Sequence, residues 1–231
     1  MHPRFRGQPS WWVSSMGRIA VIGLGQFGSA VAQHLARLGQ EVLAVDIERA
    51  ATEEVADSVD AAICMDATDE RALTGLELQR YDAVVVAMGA HALESSILTT
   101  ALLRQGGVSH IIARSTNDLH ARVLRAVGAH EVVAPEAQMG QRLAEKLTHP
   151  NVIDELELGD AIVAEVEVST AMLNRSIAQL QIRNRYGATI LAVRRGDEVH
   201  TNPGPDYVLG ERDILVVLGK QDEVRKLAKK G

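Results

Sequence analysis

Short apolar runs and longer stretches of helical spacing alternate from Arg18 to about Thr148. The runs at 18–23, 41–46, 61–65, 82–88, 109–113 and 130–133 have strand length and are rich in Val, Ile and Ala. Near-continuous apolar strands separated by helices are covered on both faces, so the pattern predicts α/β architecture: a Rossmann-like doubly wound parallel sheet of six strands with five intervening helices. A further helix is predicted over about 136–148. Nothing remains in the sheet for it to connect, which marks it as a crossover or interface element.

The pattern breaks at His149-Pro150-Asn151, because proline disfavours helix in the residue before it. Beyond the break, Ala161 to Val168 alternates, with Glu165 and Glu167 on one face and Ile162, Ala164, Val166 and Val168 on the other, as in a half-buried strand. Ser176 to Tyr186 has helical spacing at Ile177, Leu180 and Ile182. Ala188 to Arg194 reads as a strand, Asn202-Pro203-Gly204-Pro205 as a turn, Asp213 to Leu218 as a strand and Gln221 to Lys230 as a short basic helix. The expected organisation is an extension over 1–15, a first domain over 16–148, a linker over 149–157 and a small α+β domain over 158–231. A domain of about 75 residues is too small to be a usual catalytic lobe.

Composition narrows the functional classes. The 231 residues carry a net charge of −6, which leaves no basic footprint for nucleic acid. No apolar run approaches the ~20 residues of a membrane helix. A single cysteine, Cys64, excludes an intrachain disulfide and a cysteine metal cage, in keeping with a reducing cytoplasm. Residues 1–15 contain no acid and hold both tryptophans, Trp11 and Trp12. They read as a flexible extension, or Met16 is the true start; a partner-binding arm anchored by the Trp pair is the alternative.

The chemistry concentrates in RIAVIGLGQFGSAVAQHLARLGQEVLAVD, residues 18 to 46. A strand enters Gly23-Leu-Gly25-Gln26-Phe27-Gly28, a helix follows, and a second strand ends on Asp46, with Ile47 beside it as a further candidate contact. Gly23 permits the tight turn, Gly25 lets backbone approach a pyrophosphate, and Gly28 lets the helix lie close to the strand. The helix start offers unpaired N–H groups to phosphate. Asp46, eighteen positions beyond Gly28, suits the hydroxyls of a ribose, and its charge opposes a 2′-phosphate.

In a doubly wound sheet the ligand lies outside the carboxyl ends of the strands, so the other strand ends are candidates. The third ends in Met65-Asp66-Ala67-Thr68, where Asp66 suits an adenine amino group, while Thr68 or Asp69 equally suits a helix N-cap. The fourth ends in Ala87-Met88-Gly89, small enough for ribose and base to approach the backbone. The fifth ends at Arg114, either a fork for distal phosphates or the partner of a surface acid such as Asp118. Histidines are scattered without ligand spacing, which argues against zinc. No nucleophile elbow or proton-transfer set stands out, so a binding protein is favoured over an enzyme, with a small NAD-dependent oxidoreductase as the alternative.

The segments GRIAVIGLGQFGSAVAQHLARLGQEVLAVD, MDATD, VVVAMG and ARVLRAVGAHEVVAPEAQMGQRLAEKL resemble the RCK (KTN, or TrkA-N) domain, and YGATILAVRRG, NPGPDYVL and GERDILVVLG resemble the TrkA-C (RCK-C) domain. Together they resemble the KtrA/KtrC type of regulatory subunit of Ktr potassium transport systems, over nearly all of Met16 to Lys230. The resemblance implies dimers assembled into a ring, by analogy an octamer, that binds ATP or ADP, in some members NAD or NADH, and gates a potassium-translocating membrane subunit of Ktr/Trk type. It implies a cytoplasmic protein, peripheral at the inner membrane face, that converts no substrate. By position it assigns Gly23, Gly25 and Gly28 to the phosphates, Asp46 to the ribose, Asp66, Ala67 and Thr68 to the adenine and Arg114 to the phosphates. Glu136 matches a carboxylate that helps hold a divalent cation, Mg or Ca, with ATP; read from the residues alone, an acid at a helix start favoured by the macrodipole is the better account of it.

One position departs from the pattern. Close relatives often carry Arg after the second glycine, where this chain has Gln26, a donor without charge. That weakens the implied discrimination of ATP from ADP and makes room for NAD or NADH. In some family members a dimer of the C-terminal domain also binds cyclic di-AMP. Ile177, Leu180, Arg183, Thr189, Ile190 and Pro203 occupy the matching positions, where they equally suit a ligand-free core and dimer surface.

Overall fold

The computed structural model describes residues 17–148 and 151–230. The expectations for 1–15 and for the His149-Pro150 break lie outside the described residues. The chain divides into two compact units between Ala137 and Gln138. Residues 138–148, read above as the end of the first domain, therefore count with the second unit.

The first unit alternates β1 (Arg18–Ile22), α1 (Gln26–Arg37), β2 (Glu41–Asp46), α2 (Arg49–Val55), β3 (Ala61–Cys64), α3 (Glu70–Gly75), β4 (Ala83–Val86), α4 (Leu93–Gln105), β5 (Ile111–Arg114), α5 (Asp118–Val127) and β6 (Glu131–Val133), and α6 (Pro135–Thr148) follows. The sheet order is β3-β2-β1-β4-β5-β6, and every pair is parallel. Successive strand residues face opposite ways, so the sheet has two cores. Ala20, Ile22, Val84, Val86 and Ile111 pack with Leu73, Leu103 and Leu124 of α3, α4 and α5. Val21, Val42, Ala44 and Val85 pack with Ala32 and Val55 of α1 and α2.

In the second unit β7 (Val152–Leu158), β8 (Ala161–Glu167), α7 (Ile177–Leu180), α8 (Ile182–Tyr186), β9 (Thr189–Arg195), β10 (Glu198–Thr201), β11 (Asp213–Lys220) and α9 (Gln221–Lys230) follow in order. The sheet is antiparallel, in the order β10-β9-β11-β8-β7. Its core joins Ile162, Ala164 and Val166 to Val224, Leu227 and Ala228 of α9.

Three features differ from the sequence reading. Most of the segment taken as a linker, 149–157, is β7, an acidic edge strand on which only Val152 is buried. The strand β10 was not read at all, being four solvated residues at the other edge. The helix expected over 176–186 is two short helices, because Gln181 adopts the left-handed conformation with φ 49°.

Candidate functional site

The strands β1 and β4 are neighbours, with Ile22 opposite Val86. The chain leaving β1 enters α1 on one face, and the chain leaving β4 enters α4 on the other. This divergence opens a crevice beyond the strand ends, the position where doubly wound sheets take ligands. A cleft of ≈ 180 Å³ occupies it, lined by Ile22, Gly23, Gly25, Asp46, Ile47, Met65, Asp66, Ala67, Ala87, Met88, Gly89, Ala92 and Ser95.

The three glycines have separate physical reasons. Gly23 sits at φ +95°, and a Cβ there would lie 3.0 Å from the Met88 nitrogen. A Cβ on Gly28 would lie 1.8 Å from the Gly23 carbonyl oxygen, so α1 could not lie this close to β1 with any other residue. A Cβ on Gly25 would meet nothing within 4 Å, so what glycine preserves there is open space above the loop. Gly25 is also the N-cap of α1, a helix of 12 residues with no side-chain cap and no acid in its first turn. Its opening N–H groups and positive dipole end are left to an anion.

Asp46 is fixed by two backbone donors: Leu24 N donates to Oδ2 at 2.5 Å and Glu48 N to Oδ1 at 2.8 Å. Each oxygen keeps a lone pair for a ribose hydroxyl. Ile47 is 61% exposed at the cleft, an apolar surface suited to the face of a base. Asp66 accepts from Thr68 N at 2.8 Å and Thr68 Oγ1 at 2.7 Å, both at Oδ1, and these bonds hold its carboxyl below the usual range. Asp69, not Thr68, caps α3, accepting from Arg71 N and Ala72 N. Capping and cleft are thus divided between two aspartates.

Arg114 is not paired with Asp118; its Nη2 donates to Oε1 of Glu136. The guanidinium lies 5.6 Å from the centroid of the Phe27 ring, and Nη1 is 3.5 Å from the Ala87 carbonyl oxygen. The hydrogen bond from Arg114 lowers the Glu136 carboxyl from its ordinary value. Gln26, Phe27, Gly28, Thr68, Arg114 and Glu136 are outside the cleft lining, while Ile22, Met65, Ala92 and Ser95 line it without having been singled out. Ala92 and Ser95 follow the fourth-strand end within six residues of Gly89, and that proximity was the available signal. Among the described residues no three His, Cys, Asp or Glu side chains converge as a metal site. Glu136 alone, committed to a guanidinium, does not hold a divalent cation without further oxygen ligands.

The second unit carries a separate cleft of ≈ 400 Å³, lined in part by Ile177, Arg183, Thr189, Ile190 and Pro203. Leu180 is buried in the core instead. Behind the neighbouring strands, Asp213 is fully buried and takes a bidentate pair from Arg195, with both contacts at 2.7 Å.

The TrkA-N domain family matches residues 19–135 and the TrkA-C domain family residues 161–230. Ktr system potassium uptake protein C of Bacillus subtilis (strain 168) is 37% identical over 212 residues, covering 91% of this chain and 96% of that protein. Ktr system potassium uptake protein A of the same organism is 34% identical over 222 residues, covering 94% and 100%. Among solved structures, the GsuK channel superposes with a TM-score of 0.66 at 20% identity, covering 93% of this chain. This chain spans 39% of that channel, and the likeness is one of fold. Two matched domains and relatives aligned almost end to end establish that the chain belongs to the TrkA-N/TrkA-C family of Ktr-type potassium uptake proteins.

Proposed function

We propose that this chain is a regulatory subunit of a Ktr-type potassium uptake system that binds an adenine nucleotide in the β1/β4 cleft and gates a potassium-translocating membrane partner. The observation that carries the reading is the convergence of Gly23, Gly25, Asp46, Ile47, Asp66, Ala67, Ala87, Met88 and Gly89 on one cleft at the switch point. Phosphates rest on the start of α1, the ribose on Asp46, and the base between Ile47 and the Asp66–Ala67 turn. Among the described residues no helix is long and apolar enough to cross a membrane, in keeping with a subunit held at the inner membrane face by its partner.

Regulation requires a nucleotide that binds one conformation of the assembly better than another, since equal affinity shifts nothing. Dimers in a ring, an octamer by family resemblance, supply the two conformations. ATP and ADP are the expected ligands, with Mg or Ca bridging Glu136 and phosphate oxygens; Gln26 leaves NAD or NADH as a competing ligand. The second cleft takes cyclic di-AMP with Arg183 on a phosphate, a reading favoured by five matched positions sharing one cavity.

The test is calorimetric titration of nucleotide-free protein with ATP, ADP, NAD and NADH, with and without Mg or Ca, followed by potassium uptake with the membrane subunit. Saturable adenine-nucleotide binding and ligand-dependent uptake are expected. Turnover of a nicotinamide cofactor with small substrates would replace this reading with that of an oxidoreductase.

A further inference from the structure

The helix α4 carries buried hydroxyls where apolar side chains are the rule: Ser96, Thr99 and Thr100 have no exposed surface, and His120 of α5, which meets Ser96, is 4% exposed. This polar strip touches the cleft at two points. Ala92 and Ser95 line the cleft immediately before Ser96, and Ala67, which also lines it, faces Thr99, whose Oγ1 donates to the Ala67 carbonyl at 3.3 Å. Ser96 closes the first turn of α4: its Oγ donates to the Leu93 carbonyl at 2.8 Å, and its own carbonyl accepts from Thr100 Oγ1 at 2.7 Å. His120 Nε2 lies 2.9 Å from Ser96 Oγ. Because the hydroxyl proton is committed to Leu93, this contact has Nε2–H donating to Ser96. One wall of the cleft is thereby tied to α5 through a single imidazole.

The other ring nitrogen, Nδ1, accepts from Thr116 N at 3.3 Å and faces Thr116 Oγ1 at 3.4 Å. Among the described residues no charged side chain faces the ring. Glu94 of α4 and Asp118 and Arg122 of α5 are exposed, and burial is what lowers the His120 pKa below its ordinary 6.5. His120 is also the one titratable group among the buried polar side chains described in the first unit. We infer that His120 is a positioning residue for the nucleotide cleft, and that its neutral form is the one that holds the Ala92 and Ser95 wall in place for the ligand. The inference rests on the nucleotide reading above and adds a proton to its regulation. A second proton, on Nδ1, sets a donor against the Thr116 N–H, and no carboxylate is at hand to receive the charge. Either the ring or the Thr116 segment then shifts, and a shift of the ring pulls on Ser96, the neighbour of Ser95. Nucleotide and proton therefore compete, and by linkage each weakens the other by the same factor.

To test this, ADP is titrated into the wild-type protein, His120→Gln and Ser96→Ala between about pH 8 and about pH 5.5, and the His120 ring is followed by NMR with and without saturating ADP. The terminal phosphate of ADP itself titrates near pH ~6, so the quantity read is the ratio of wild-type to His120→Gln dissociation constants at each pH, from which the protonation of the ligand cancels. That ratio is expected to be level above pH ~6.5 and to rise about two- to tenfold below it, the span of one net hydrogen bond. In the wild type, ADP is expected to lower the His120 pKa further, and Ser96→Ala to diminish that ligand-dependent shift, a response that a merely structural histidine would not give. A constant ratio, a ring that stays neutral down to about pH 5.5, or a His120 pKa equal with and without ADP overturns the positioning role, while ADP binding by the wild type leaves the nucleotide site standing. Should His120→Gln fail to fold, the ring titration of the wild type decides alone. Absence of ADP binding by the wild type across the whole range overturns both.

Discussion

At the scale of single residues, the glycine loop separates folding from binding. A Cβ at Gly28 collides with the Gly23 carbonyl at 1.8 Å, a backbone atom that cannot rotate away. Gly28→Ala should therefore push α1 off β1 and cost about 3 kcal/mol, at the top of the range for overpacking. Gly25→Ala should behave differently: its Cβ meets nothing within 4 Å and the backbone there is extended, so stability should change by less than about 1 kcal/mol. The added methyl would stand in the space left for phosphate, so ADP affinity should fall at least about tenfold. Urea melts paired with ADP titrations of both variants decide the matter; a stable Gly25→Ala protein with full affinity would remove the phosphate from the start of α1.

At the scale of elements, the second unit depends on how β11 begins. Asp213 has no exposed side-chain surface and accepts from Arg195 Nε, Arg195 Nη2 and Gly210 N. Pairing with Arg195 holds its carboxyl below the usual value. Asp213→Asn should destabilise the unit by about 1–3 kcal/mol, less than for a wholly buried pair because the Arg195 side chain is 49% exposed and can turn to water. A depressed carboxyl contributes stability above its ordinary range that disappears as pH falls through the folded value, so the variant should match wild type only well below pH ~4. Denaturant melts from pH 3 to 7 test both statements. The two strands missed in the sequence, β7 and β10, are both edge strands with little buried surface, so the alternation that betrayed β8 was never imposed on them. Each is joined to its neighbour by a two-residue Gly-Asp turn, Gly159-Asp160 and Gly196-Asp197, with glycine φ of +67° and +61°. Those dipeptides were the readable sign. The cleft was legible where chemistry demands a residue type, at the glycines, Asp46 and Asp66. It was illegible at Ala92 and Ser95, which contribute only small surface. The pairing of Arg114 was illegible too, because its partner Glu136 lies in another element rather than at the nearby Asp118.

At the scale of the whole molecule, the two units should lose stability in sequence as the solution is acidified. His120 on α5 is 4% exposed, its Nε2 2.9 Å from Ser96 Oγ on α4 and its Nδ1 facing the Thr116 N–H at 3.3 Å. With Ser96 Oγ donating to the Leu93 carbonyl and Thr116 donating to Nδ1, the neutral ring carries its proton on Nε2, and a second proton on Nδ1 would confront the Thr116 donor. Burial accordingly lowers the His120 pKa below its ordinary 6.5. The unfolded chain takes up this proton first, so the first unit should be fully stable above pH ~6.5 and weaken as pH falls towards the folded value. The clearest titrating group in the second unit is Asp213, which holds its charge until pH falls below the ordinary carboxylate range. Between about pH 6.5 and pH 4, then, amide protection factors, corrected for the intrinsic pH dependence of exchange, should fall in β1–β6 while those of β8, β9 and β11 hold. His120→Gln, which keeps hydrogen-bonding capacity and cannot charge, should flatten the response of the first unit across that window at some cost in packing. If protection instead fell equally in both units, or the variant kept the wild-type pH slope, His120 would not be the group that makes the first unit the acid-sensitive one.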